Sequence, residues 1–118
     1  MDKTIFFKKK YANCTKEVYA YMDELSHEND KIILINSDIE YSNGESDSKN
    51  TFVELGEVLK AFELESYEQL MSYWTDMYKD DEKTFEKIVK SLEEKGINAE
   101  VSNDKGWTDE GGFYMTDL

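Results

Sequence analysis

Arginine and proline are both missing from these 118 residues, and cysteine and histidine each occur once. The lack of arginine argues against direct reading of nucleic acid, where Arg supplies the planar fork that grips guanine and phosphate. Set beside abundant Lys, Asn, Ile, Glu and Asp, the missing Arg and Pro also match the codon bias of an AT-rich genome, such as that of a low-GC bacterium or its phage. A single thiol, Cys14, leaves no internal disulfide and suits a reducing compartment. Asn13-Cys14-Thr15 fits the glycosylation sequon. The opening Met1-Asp2-Lys3-Thr4 lacks the apolar segment of a secretion signal, so the sequon reads as coincidence and a cytoplasmic location is expected. No apolar run reaches the ~18–20 residues of a membrane span.

What the chain has in excess is negative charge. Asp and Glu number 27 against 14 basic residues, all lysine, for a formal charge of -13. Residues 1–36 are balanced, whereas residues 37–50, 51–95 and 96–118 carry -3, -6 and -4. A small domain needs a net charge of only about 2–8 for solubility. The surplus repels nucleic acid and anionic membrane and favours basic protein surfaces.

The length suits one domain spanning 1–118. Residues 3–8 read as a short β-strand, followed by the basic patch Lys8-Lys9-Lys10. Val18, Tyr21, Met22 and Leu25 predict a helix over 15–26, capped by Asn13 or Thr15. The continuous run Ile32 to Ile35 predicts a central strand buried on both faces. Residues 37–50 read as an acidic, flexible loop, with Ile39 and Tyr41 forming at most a brief strand that turns at Asn43-Gly44.

Three amphipathic helices are expected from Thr51 to Gly96. The first carries Leu55, Val58, Leu59 and Phe62. The second carries Tyr67, Leu70, Met71, Trp74, Met77 and Tyr78, and the third Phe85, Ile88, Val89 and Leu92. Thr51 with Glu54 and Ser66 with Gln69 fit capping boxes, the third helix starts near Asp80 or Asp81, and Gly96 ends it. Ile97, Ala99 and Val101 alternate as a strand, Ser102 to Gly106 reads as a turn, and Trp107 with Phe113 to Met115 completes the sheet. The predicted class is α+β, a small, mainly antiparallel sheet carrying about four helices, in the order β-α-β-(β)-α-α-α-β-β.

Catalytic chemistry finds little support. Cys14 and His27 form the single thiol–imidazole combination, and on the predicted helix they would lie roughly 20 Å apart, beyond hydrogen-bond reach. Asp80, Asp81 and Glu82 are consecutive, so on a helix they point about 100° apart and do not converge on one ion. A helix start accounts for them by capping and dipole. The segment Asp38 to Lys49 departs from a calcium loop, with Gly44 at its seventh position and Lys49 where a bidentate Glu is required. No phosphate-binding glycine loop occurs. Neither a cofactor nor a metal is expected, and the chain is not read as an enzyme.

The candidate binding residues are acids interleaved with aromatics. Asp38, Glu40, Tyr41, Glu45 and Asp47 form one set, and Asp104, Trp107, Asp109, Glu110 and Tyr114 a second, with Asp80, Asp81 and Glu82 as a rim. Aromatic anchors ringed by charge combine a desolvated centre with electrostatic steering. These features predict an acidic inhibitor whose carboxylates stand in for phosphates on a basic partner, a nuclease or nucleic-acid-guided effector. Phage anti-defence proteins of the anti-CRISPR or anti-restriction type share this size and charge. The alternatives are an immunity or antitoxin protein against a basic toxin, a small carboxylate enzyme, and an adaptor with an exposed patch along Trp74, Met77 and Tyr78.

Overall fold

The computed structural model describes residues 3–23 and 31–107. Five strands form one antiparallel sheet in the order β1-β2-β3-β4-β5, so each strand pairs with its neighbour in sequence. They are β1 (Lys3–Lys10), β2 (Cys14–Asp23), β3 (Ile32–Tyr41), β4 (Glu45–Glu54) and β5 (Ser102–Trp107). Between β4 and β5 the chain makes an excursion through α1 (Leu55–Phe62), α2 (Tyr67–Met77) and α3 (Thr84–Glu94).

The sheet has one buried face because its strands alternate. Val18 and Ala20 on β2, Ile33 and Ile35 on β3 and Val53 on β4 point to the same side, where Val58, Leu70, Trp74, Phe85, Ile88 and Leu92 of the helices meet them. On β1 a register shift between Ile5 and Phe7 sends both Phe6 and Phe7 into that core. Such an extra residue is a β-bulge, which bends an edge strand. The rings of Phe6 and Phe62 meet Trp74 edge-on, each 6.3 Å between centroids.

The α+β class with an antiparallel sheet is as predicted, but the order of elements differs. The helix expected over 15–26 is strand β2, which continues to Asp23 before the undescribed residues 24–30. Val18, Ala20 and Met22 share one face there, and Glu17, Tyr19 and Tyr21 the other. The helical separation of Cys14 from His27 therefore falls away. Cys14 opens β2, and His27 lies outside the described residues.

The acidic loop expected over 37–50 is the far half of the β3–β4 hairpin, in register from Asn36↔Asn50 to Glu40↔Ser46. Only Ser42 to Gly44 form its turn, closed by the Gly44 amide donating to the Tyr41 carbonyl at 3.1 Å, with Gly44 at φ 95°. That turn is where Asn43-Gly44 placed it.

Thr51 is no helix cap. It lies in β4 at 1 % exposure, and α1 starts at Leu55 after Glu54, which makes no capping bond. At Ser66 the expected cap forms: the Gln69 amide donates to Ser66 Oγ at 3.1 Å, while Gln69 Oε1 accepts from the amide of Glu65, one residue before the cap, at 2.8 Å.

Gly96 closes α3 at φ 82°, with the Ile97 amide reaching back to the Leu92 carbonyl at 3.0 Å. This is the left-handed cap that glycine adopts most easily. Ile97 and Ala99 are buried as their alternation predicts, yet they pair with no strand, and the expected turn over 102–106 is instead edge strand β5. Trp107 ends β5 opposite Glu45, while Phe113, Tyr114 and Met115 lie outside the described residues. No helix among the described residues is long and apolar enough to cross a membrane.

Candidate interaction face

No described element covers the second face of the sheet. Strand register arranges its side chains in rows running across the strands. One row is Lys8, Glu17, Asp38, Ser48 and Asp104, from β1 to β5. The next row towards the hairpin turn contains Lys10, Thr15, Glu40 and Ser46. Carboxylates from three strands thus lie in adjoining rows at one end of this face. Residues this far apart in sequence are brought together because β5 returns beside β4 after the helices.

Asp38 is the best-held member. It accepts hydrogen bonds from the Tyr19 hydroxyl and from Ser48 Oγ, each at 2.7 Å, one donor from each flanking strand. Burial of Tyr19 and its hydrogen bond to Asp38 both push the phenol pKa well above the usual tyrosine value, since phenolate would be desolvated beside a carboxylate. Tyr19 stacks on Tyr21 at 6.2 Å, and Lys3 Nζ sits 4.4 Å over the Tyr19 ring. Glu17 is met by Lys3 at 2.9 Å and more loosely by Lys8 at 3.9 Å. Asp104 receives a long contact from Asn50 Nδ2 at 3.5 Å, and Glu40 is exposed. A shallow depression of about 420 Å³, lined by Lys3, Lys8, Glu17, Tyr19, Asp38 and Ser48 among others, marks this end of the face.

The other candidates lie elsewhere. Tyr41, Glu45 and Asp47 have the opposite strand parity and belong to the helix side of the hairpin. There the Tyr41 hydroxyl approaches Asp47 Oδ2 at 3.3 Å, and Asn43 Nδ2 donates to Glu45 at 2.6 Å. Asp80, Asp81 and Glu82 form the turn between α2 and α3. The Tyr11 hydroxyl donates to Glu82 at 2.8 Å, and Lys16 Nζ reaches the Glu82 carbonyl at 2.6 Å. Hydrogen bonds from the Lys87 ammonium and the Lys83 amide hold the Asp81 carboxyl below its ordinary pKa.

Lys16 and Lys49, the latter paired with Glu86 at 3.3 Å, break up the acidic character on this side. Of the predicted set, the structure therefore gathers Asp38, Glu40 and Asp104 on the open face and separates them from Asp80, Asp81 and Glu82. Trp107 is placed by its backbone alone, opposite Glu45, and Asp109, Glu110 and Tyr114 lie outside the described residues. The adaptor patch does not form as a unit, because Trp74 is fully buried while Met77 is exposed.

Glu17, Tyr19 and Ser48 were missed by sequence reasoning. The period-two pattern of Glu17-Val18-Tyr19-Ala20-Tyr21-Met22 was the signal that would have placed the first two on an open strand face. Among the described residues no group of acids, His or Cys is arranged to hold a metal ion. Comparison with protein-family models, curated proteins and solved structures gave no match.

Proposed function

We propose that this chain is a non-catalytic acidic inhibitor that docks on a basic nucleic-acid-binding protein, a nuclease or nucleic-acid-guided effector, and occupies the groove that DNA or RNA would use. Its character is that of phage anti-defence proteins of the anti-CRISPR or anti-restriction type. The observation that carries the reading is the position of Asp38, with Glu40 and Asp104, on a sheet face that no described element covers. Two hydroxyl donors orient the Asp38 carboxylate, which limits the side-chain entropy lost when a cation binds it. Carboxylates presented in this way compete with phosphate for lysine and arginine, and the competition weakens with salt.

The test is co-purification from a bacterial host lysate at about 50 and 300 mM salt, a range that exposes counterion effects. The captured protein is then identified and its complex challenged with DNA and RNA. A basic nucleic-acid-binding protein released by salt and by nucleic acid supports the reading. Binding indifferent to both, or a captured protein with no nucleic-acid site, rejects it.

A further inference from the structure

The sheet face that no described element covers is not acidic throughout. Beyond the Tyr19 row lies the row Lys3, Tyr21, Leu34 and Phe52, flanked by Ile5 on one side and Ile32 on the other. Phe52 is 63 % exposed and Ile5 42 %, high values for large apolar side chains on a sheet whose other face carries the core. Past this band the face becomes acidic again, with Asp23 and Glu54 on either side of Ile32. An apolar band therefore runs across β2, β3 and β4, with Ile5 and Lys3 at its β1 end, between two rows that carry carboxylates. Asp23 and Glu54 stand in the row on one side of the band, and Asp38 and Asp104 in the row on the other.

We infer that this band seats an amphipathic helix of the basic partner, its apolar stripe on Tyr21, Leu34 and Phe52 and its lysines or arginines on both shoulders. The inference rests on the proposed function and specifies the contact through which it would act. Dimensions agree with it. Three inter-strand steps span about 14 Å, the length of roughly ten helical residues. These two rows, three same-face steps apart along β2, are separated by about 20 Å. A helix 10–12 Å across leaves on each side about the reach of a lysine side chain.

Charge selects the occupant. A second copy would set acidic rim against acidic rim in a chain of net charge -13. Nucleic acid would meet the same repulsion. An apolar centre within a charged rim is also the anatomy of a specific protein interface.

The probe is a synthetic helix-forming peptide of roughly 14 residues, long enough for the band, with a leucine stripe and lysines on both shoulders. It is titrated into the full chain and followed by heteronuclear NMR. One control peptide has the same composition in scrambled order, and another carries glutamates on its shoulders. The striped lysine peptide should bind about tenfold tighter than the scrambled one, roughly the effect of one well-buried side chain. Amide shifts should centre on Tyr21, Leu34 and Phe52, and Phe52→Ser should remove the tenfold preference.

Phe52 is exposed, so that variant should keep the fold, and Ile5→Ser on the edge strand gives a second check. Equal binding of striped and scrambled peptides overturns the helix seat and leaves the acidic reading standing. Equal binding of the glutamate peptide overturns the charge reading as well. Concentration-dependent dimerisation that Phe52→Ser abolishes would assign the band to a second copy and overturn the inference.

Discussion

The Tyr19 hydroxyl and the Asp38 carboxylate meet at 2.7 Å on a diagonal between adjacent strands, because Tyr19 is directly opposite Asn36 and Asp38 is opposite Glu17. Burial, and after it this contact, make Tyr19 harder to ionise in the folded chain than in the unfolded one. A raised folded pKa contributes stability that is fully present below the ordinary tyrosine value of about 10 and declines as pH rises through it towards the folded value. Urea unfolding at increasing alkaline pH should therefore show a steeper loss of stability for the native chain than for Tyr19→Phe. Parallel curves for the two proteins would mean that this phenol titrates alike in the folded and unfolded chains.

Charge on the same face should govern association. Reversing Asp38 and Glu40 to lysine is expected to slow capture of a basic partner by at least about tenfold at low salt, with the difference shrinking as salt rises. Stopped-flow mixing reads this directly. An unchanged on-rate would move the contact away from this end of the sheet.

Thr51 offers a stability test on the opposite face. Its hydroxyl oxygen is buried without a hydrogen-bond partner, next to the core side of β3. Thr51→Val keeps the branched shape and removes the desolvated oxygen, so it should stabilise the fold by about 1 kcal/mol. A denaturant midpoint at or below that of the native chain would show that the hydroxyl is satisfied in solution.

At the end of α3, Gly96 holds φ 82° with open space around the position of a Cβ. A side chain there meets no neighbour, so the cost of Gly96→Ala is that of the left-handed backbone alone, about 1–2 kcal/mol. A thermal melt tests it. No loss would mean that the helix end re-forms with another cap.

The helices were the most legible part of the chain. In α2 and α3 the apolar stripe, the Ser66–Gln69 cap and the Gly96 stop all report local geometry, and local geometry is written in neighbouring residues. The misread strand is instructive. Val18, Tyr21 and Met22 satisfy a helical period, while Val18, Ala20 and Met22 satisfy a strand period, and the residues 15–23 alone allow both. The sheet partners settle it, and these are β1 and β3.

The 37–50 segment was illegible for a different reason. The far half of the β3–β4 hairpin is only half-buried or exposed over most of its length. Ile39 and Tyr41 still alternate in β3, but Glu45 to Asn50 in β4 are polar on both faces and alternation disappears there. Strand β5 is polar too, and its place is fixed by pairing with β4 across the whole helical excursion. Asp38, Glu40 and Asp104 were visible as acids. Their convergence on one face, and the role of Tyr19 and Ser48 in orienting Asp38, required the register.

The order of elements also has a consequence during synthesis. Strands β1 to β4 are complete at Glu54, whereas the last helix that covers them ends at Glu94. At roughly 5–20 residues per second, a ribosome takes about 2–8 s to make the intervening stretch. Hairpins pair in microseconds. A nascent chain thus presents Val18, Ala20, Ile33, Ile35 and Val53 as a bare apolar sheet for seconds, guarded along its β1 edge by Lys8, Lys9 and Lys10.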